Sequence, residues 1–202
     1  MIAVLDYGIG NLRSAQKALE RVGADAVLTA DPATVGSADG VVLPGVGAFG
    51  RCMDALRAAA LDQPAREAIG AGTPFLGICV GMQMLYDGSE EDPDVKGMGV
   101  LPGMVRRLPD GVKRPQMQWN VLDPTAESPM LAGLDDPAWV YFVHSYAPEP
   151  SPDVVATCDY GGPVVAAVAR ERLWATQFHP EKSGANGLRI LNNFVGSVAA
   201  RG

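Results

Sequence analysis

Four short apolar runs, each followed by a segment with helical character, constrain this chain more than any other feature. Ile2 to Leu5, Ala26 to Leu28, Gly40 to Leu43 and Pro74 to Ile78 carry no polar side chain, so each is a strand that wants cover on both faces. The segments between them are helix-like. Leu12 to Val22 is amphipathic and ends at Gly23, Asp31-Pro32 opens a short helix with an N-cap and a proline, and Phe49 to Ala60 and Gln63 to Ile69 stop at Gly70 and Gly72. A further helix follows Ile78 and runs through Leu85. Strand–helix alternation of this kind predicts a mostly parallel, flavodoxin-like sheet flanked by helices, an α/β fold.

The second half changes character. Met98 to Leu108, Met117 to Leu122, Trp139 to Val143, Val154 to Cys158, Val164 to Ala169 and Leu173 to Phe178 all read as strands punctuated by proline and glycine, which predicts an antiparallel extension. A last helix is expected from Ala185 to Val198. No linker or repeat divides the chain, so residues 1–202 are expected to form one domain.

Composition narrows the function classes. Hydrophobic residues are 48% and charged residues 19%, as in a chain that folds around a core. A net charge of −7 gives no footprint for nucleic acid. Every apolar stretch is broken well short of a membrane span, and Met1 leads straight into a strand-like run without a basic segment or cleavage site, so no signal peptide is expected. Three cysteines, Cys52, Cys79 and Cys158, form no metal-binding spacing and suit a reducing cytoplasm.

Against this background two short segments stand out, about a hundred residues apart. Gly77-Ile78-Cys79-Val80-Gly81 has the form of a nucleophile elbow, where flanking glycines let a strained strand-to-helix turn pack closely. Gln177-Phe178-His179-Pro180-Glu181 follows an apolar strand. Pro180 fixes the chain so that the Glu181 carboxylate can hold the His179 imidazole while its other nitrogen faces the thiol. Thiol, imidazole and carboxylate together are the parts of a Cys-His-Glu acyl-transfer site. The chain has only one other histidine, His144, which has no carboxylate near it in sequence and reads as substrate-binding or structural. Leu43-Pro44-Gly45-Val46-Gly47-Ala48-Phe49 leaves the same carboxyl edge of the sheet as the elbow. It lacks the Gly-Lys-Ser/Thr of a phosphate loop, so the amides of Val46 and Val80 are candidate oxyanion donors. Asp6-Tyr7-Gly8-Ile9-Gly10-Asn11 is another glycine-rich turn, but not a dinucleotide fingerprint.

On these motifs the chain resembles the class I (triad) glutamine amidotransferases. Asp6-Tyr7-Gly8-x-Gly10-Asn11, Pro44-Gly45-Val46-Gly47-x-Phe49, Gly81-Met82-Gln83-Met84-Leu85, His144-Ser145-Tyr146 and Gln177 to Ser183 are similar, in order, to the glutaminase subunits of imidazole glycerol phosphate synthases. The resemblance implies Cys79 as nucleophile, His179 as base and Glu181 as its orienter, with oxyanion amides from Val46 and Val80. It further implies glutamine contacts at Gly47, Gln83, His144, Ser145 and Tyr146, and a face of Asn11, Trp119 and Lys182 turned to a (β/α)8 cyclase partner. No cofactor or metal is implied. One segment departs: the family usually reads Pro-His-Met-Gly-Trp-Asn, whereas this chain has Pro115-Gln116-Met117-Gln118-Trp119-Asn120. The residues by themselves leave three rivals open: a glutaminase serving another synthase, a thiol hydrolase or peptidase on a similar fold, and a binding module with an inert cysteine.

Overall fold

The computed structural model describes residues 1–200; the last two residues of the expected 1–202 domain lie outside the described residues. The first half alternates as the apolar runs predict. Strands Ile2–Leu5 (β1), Ala26–Thr29 (β2), Gly40–Gly45 (β3) and Phe75–Cys79 (β4) are separated by helices Leu12–Arg21 (α1), Pro32–Gly36 (α2), Phe49–Ala58 (α3) and Asp62–Gly70 (α4), and Val80–Gln83 (α5) follows β4. Asp31 caps α2, its carboxylate accepting from the amides of Ala33 and Thr34. The second half adds Gly88–Ser89 (β5), Met104–Arg107 (β6), Gln116–Val121 (β7), Asp123–Pro124 (β8), Trp139–His144 (β9), Tyr146–Pro148 (β10), Val154–Asp159 (β11), Pro163–Arg170 (β12) and Leu173–Thr176 (β13), then the helix Gly184–Ala199 (α6).

The main sheet runs β2-β1-β3-β4-β13-β12-β11-β8. Its first five strands are mutually parallel, and β12, β11 and β8 continue it antiparallel. Every side chain of β1, β3 and β4 is buried, which is why these strands read as unbroken apolar runs. Two smaller sheets, β10-β6-β5 and the antiparallel pair β7-β9, complete the extension.

Two expectations shift for one reason. The helix after Cys79 ends at Gln83 rather than Leu85, and the apolar run from Met98 is strand only from Met104. The carbonyls of Met84, Leu85 and Tyr86 accept from the amides of Met98, Val100, Leu101 and Gly99. The apolar run thus spends its first backbone groups closing the end of α5, and a positive φ at Gly99 and Gly103 turns the chain before a ladder begins. Leu173 to Phe178 also pairs as a strand only to Thr176.

The parallel register brings three carboxyl ends to one rim. Gly45 pairs beside Cys79, and Thr176 beside Ile78. The loop after β3, the elbow after β4 and the segment after β13 therefore meet at the edge where ligands bind in open α/β sheets. Helix α6 lies over the last of these. A Cβ at Gly187 would collide with the Pro180 carbonyl oxygen, so glycine is what lets α6 approach the turn that carries Glu181. An edge-to-face contact between Trp174 and Phe194, with centroids 6.2 Å apart, fastens the helix to the sheet.

Candidate active site

Cys79 adopts φ 56° and ψ −111°, a left-handed conformation that few non-glycine residues take. Such a backbone costs about 1–3 kcal/mol and persists only where the surroundings hold it. Here β3 holds it: a Cβ at Gly81 would run into the Leu43 carbonyl oxygen, so the elbow sits on β3 with no room to relax. The strain aims a buried sulfur at the rim.

His179 reaches the same place from the end of β13. Its backbone is pinned, with its N–H donating to the Tyr141 carbonyl at 3.0 Å and its carbonyl accepting from Ser183 Oγ at 2.6 Å. Nδ1 lies 2.8 Å from Glu181 Oε1, and both side chains are buried. The remaining nitrogen, Nε2, has no hydrogen-bond partner. It lines one cavity with Cys79, near enough for the sulfur to influence the ring without a formed hydrogen bond. Burial opposes a charge on His179, but the Cys79 sulfur and the Glu181 carboxylate outweigh it and raise the ring's pKa. A base held at Nδ1 and open at Nε2 is the arrangement that acyl transfer requires.

The cavity, about 240 Å³, is small enough for a metabolite of amino-acid size. Val46, Gly47, Val80, Gln83, His144, Ser145 and Tyr146 all border it beside Cys79 and His179, so the structure brings together every residue singled out for oxyanion or glutamine contacts. The loop before it is tied from behind. The Tyr7 hydroxyl donates to the Pro44 carbonyl at 2.5 Å, and the Cys52 thiol to the Val46 carbonyl at 3.3 Å. Burial pushes the Cys52 and Cys158 thiols up to about 11, which suits small apolar packing groups.

His144 borders the cavity but both its nitrogens are engaged. Nδ1 lies 2.8 Å from the Tyr146 carbonyl, and Nε2 lies 2.8 Å from Gln116 Oε1. A carbonyl only accepts, so Nδ1 carries the proton. Burial, reinforced by repulsion from His179, lowers the ring's pKa to about 4 despite the Tyr146 bond, which leaves it neutral near pH 7. A neutral ring needs a donor at Nε2, which Gln116 supplies when its amide is flipped. Of the two positions that depart from the usual family segment, Gln118 is exposed, whereas Gln116 is fully buried and acts inside the protein, beneath His144.

Sequence reasoning missed Glu91. It borders the cavity and accepts from the Phe49 amide at 2.8 Å, at the start of α3. It lies in the acidic run Glu90-Glu91-Asp92, and the fold turns Glu91 and Asp92 onto successive amides at the start of α3, those of Phe49 and Gly50. Among the described residues no group of three or more His, Cys, Asp or Glu is placed to hold a metal ion.

Asn11, Trp119 and Lys182 lie outside the cavity. Trp119 is 47% exposed on β7, edge-on to Tyr141 across the strand pair at 6.0 Å. Lys182 closes the turn behind His179 and is exposed, and Asn11 immediately precedes α1. Met117, at 61% exposure, and Trp139, at 48%, share the Trp119 face of the β7–β9 ribbon. The ribbon thus shows an apolar ladder directly beside the cavity.

Comparison with known proteins follows the same line. The family described as Glutamine amidotransferase class-I matches residues 3–198. The imidazole glycerol phosphate synthase subunit HisH of Synechococcus elongatus is 51% identical over 205 residues, covering 98% of this chain and 94% of that relative. The subunit of the same name from Methanothermobacter thermautotrophicus is 50% identical over 201 residues, covering 99% of this chain and 100% of the relative. Among solved structures, one titled a crystal structure of glutamine amidotransferase superposes with a TM-score of 0.75 at 21% identity, covering 98% of each chain. A putative GMP synthase subunit from Thermoplasma acidophilum superposes with a TM-score of 0.73 at 22% identity, covering 99% of this chain and 94% of that one. At that identity the two structures speak to the fold.

Proposed function

The chain belongs to the class I glutamine amidotransferases, and from that membership we propose that it is the glutaminase subunit of an imidazole glycerol phosphate synthase in histidine biosynthesis. Cys79, His179 and Glu181 hydrolyse glutamine, and the ammonia passes to a (β/α)8 cyclase. The observation that carries this reading is the His179 ring, held by Glu181 at 2.8 Å and left open at Nε2 in the cavity that contains Cys79.

The reaction follows from these positions. The Cys79 sulfur attacks the side-chain amide carbon of glutamine and forms the C–S bond. Negative charge gathers on the amide oxygen, where the amides of Val46 and Val80 receive it. The C–N bond then breaks, and protonated His179 gives its proton to the departing nitrogen. Its raised pKa keeps that proton on the ring at neutral pH. Water, losing a proton to His179 Nε2, attacks the thioester, and glutamate leaves with the sulfur restored. Glu181 holds the ring through both halves. Only glutamine and water are consumed, so the half-reaction needs no cofactor or metal. Gly47, Gln83, His144, Ser145 and Tyr146 frame the substrate, and the Glu91 carboxylate offers a partner for its ammonium group.

Free ammonia entering bulk water is lost as ammonium, so a glutaminase of this size needs an acceptor held against it. The apolar ladder of β7 and β9, flanked by Asn11, Trp119 and Lys182, suits that contact. The whole chain then acts as one glutaminase domain. Its three free, buried cysteines suit a reducing cytoplasm, and among the described residues no helix is long and apolar enough to cross a membrane.

An electrophilic glutamine analogue tests the assignment. Peptide mapping should find the label on Cys79, with none on a Cys79→Ala variant; a label on Cys52 or Cys158 would overturn it. Adding the cyclase and its nucleotide substrate should raise the glutaminase rate, and an unchanged rate would remove the partner from the proposal.

A further inference from the structure

A one-way chain of hydrogen bonds ends on the reacting sulfur. The Tyr146 carbonyl accepts from His144 Nδ1 at 2.8 Å and from Gln83 Nε2 at 2.9 Å, which uses both its lone pairs. Gln83 Nε2 also donates to Gln177 Oε1 at 3.0 Å. Gln177 Nε2 lies 3.6 Å from Cys79 Sγ. Gln83 is 3% exposed and Gln177 fully buried, so both amides lie out of bulk solvent.

The direction of this chain is decided at its far end. An amide side chain can present either its oxygen or its nitrogen to a neighbour, but a backbone carbonyl has no proton to give. Tyr146 therefore obliges Gln83 to turn its NH2 inward. That NH2 obliges Gln177 to receive it with its oxygen. Gln177 has then only its own NH2 left for the sulfur. Flipping either glutamine would set like against like in a dry site, at the full cost of an unpaired buried polar group. Besides His179, the Val143 carbonyl also lies near the sulfur, farther away at 3.9 Å and an acceptor.

We infer that Gln177 is a further catalytic residue, whose N–H donates to Cys79 Sγ and stabilises the negative charge the sulfur carries before attack and regains when the thioester is hydrolysed. Gln83, His144 and the Tyr146 carbonyl are positioning groups that fix the polarity of that donor. The inference rests on the reading of Cys79 as the nucleophile. Gln177 does not border the cavity, unlike Gln83, so its contribution falls on chemistry rather than on glutamine binding.

The test is alkylation of the full chain by iodoacetamide, a small reagent that needs no glutamine site, followed residue by residue by mass spectrometry across a pH series. A donor to a charged sulfur is worth about tenfold in the rate. In Gln177→Met, labelling of Cys79 near pH 7 is expected to slow about tenfold, and its pH profile to move to higher pH. Glutaminase kcat should fall by a similar factor with KM for glutamine nearly unchanged. Gln83→Met, which removes the lock but not the donor, should slow labelling in the same direction by less, and it serves as the readout if Gln177→Met does not fold by circular dichroism. A folded Gln177→Met or Gln83→Met protein that labels at Cys79 like wild type overturns the inference while leaving the nucleophile in place. Failure of wild-type Cys79 to label ahead of Cys52 and Cys158 overturns both.

Discussion

Acidification from about pH 6.5 to about pH 4.5 is expected to weaken this fold through His144. The chain has two histidines. Unfolded, both titrate near 6.5. Folded, burial lowers His144 to about 4, and the Cys79 sulfur and Glu181 raise His179 against its own burial. The signs are opposite. For His144 the unfolded chain binds the extra proton, so its contribution is complete above about 6.5 and is lost as pH falls toward 4. For His179 the folded chain binds the extra proton, so its contribution is complete below about 6.5 and is lost as pH rises toward the folded value. Stability should therefore peak near pH 6.5.

The acid limb can be sized. With pKa values of about 4 folded and 6.5 unfolded, linkage gives a loss of about 2 kcal/mol between pH 6.5 and 4.5. His179 is flat in that window. The carboxylates held below their usual range, Asp31, Glu90 and Glu149, act mainly at lower pH. Urea midpoints at the two pH values, for wild type and for His144→Gln, isolate the effect. The variant starts out less stable, by about 1–3 kcal/mol for the unpaired groups it leaves, but its loss on acidification should be smaller by about 2 kcal/mol. Equal losses in both proteins would refute the depressed pKa of His144, and with it the neutral ring that hands Tyr146 its hydrogen bond.

Three further outcomes are expected. Glu181→Gln should cut glutaminase kcat by about a thousandfold or more, because the ring loses its orienter and its stabilised charge, with thermal stability the control. Gly81→Ala should destabilise by about 3 kcal/mol in denaturant titration, since its Cβ meets the rigid Leu43 carbonyl rather than a side chain that can move. Trp119→Ala should leave the unfolding midpoint of the lone chain within about 0.5 kcal/mol. The same change should weaken cyclase binding in calorimetry by about 2 kcal/mol, as truncation of an aromatic anchor does.

What the sequence could and could not say follows from range. The parallel core was legible because burial on both faces leaves runs such as Gly40 to Leu43 wholly apolar, and the elbow because strain at Cys79 demands Gly77 and Gly81 within two residues. The His179–Glu181 pair was legible because a proline-fixed turn makes it local. The run from Met98 misled because an apolar loop closing the end of a short helix has the same composition as a strand. Glu91 was hidden because its inward turn depends on the amide of Phe49, more than forty residues earlier.

Gln116 shows the limit most clearly. As letters, Pro115-Gln116-Met117-Gln118 is a departure beside the expected partner surface. In the fold Met117 and Trp119 share one exposed face of β7 while Gln116, at its start, is buried against His144. A histidine at that position would bring a second titratable ring against His144 in a dry site. Glutamine brings an amide that can take a hydrogen bond from a charged His144 through Oε1 or, once flipped, give one to a neutral His144. The substitution therefore bears on the charge of His144, whose Nδ1 donates to Tyr146 in either state, and its consequence is to be sought in the acid limb of stability.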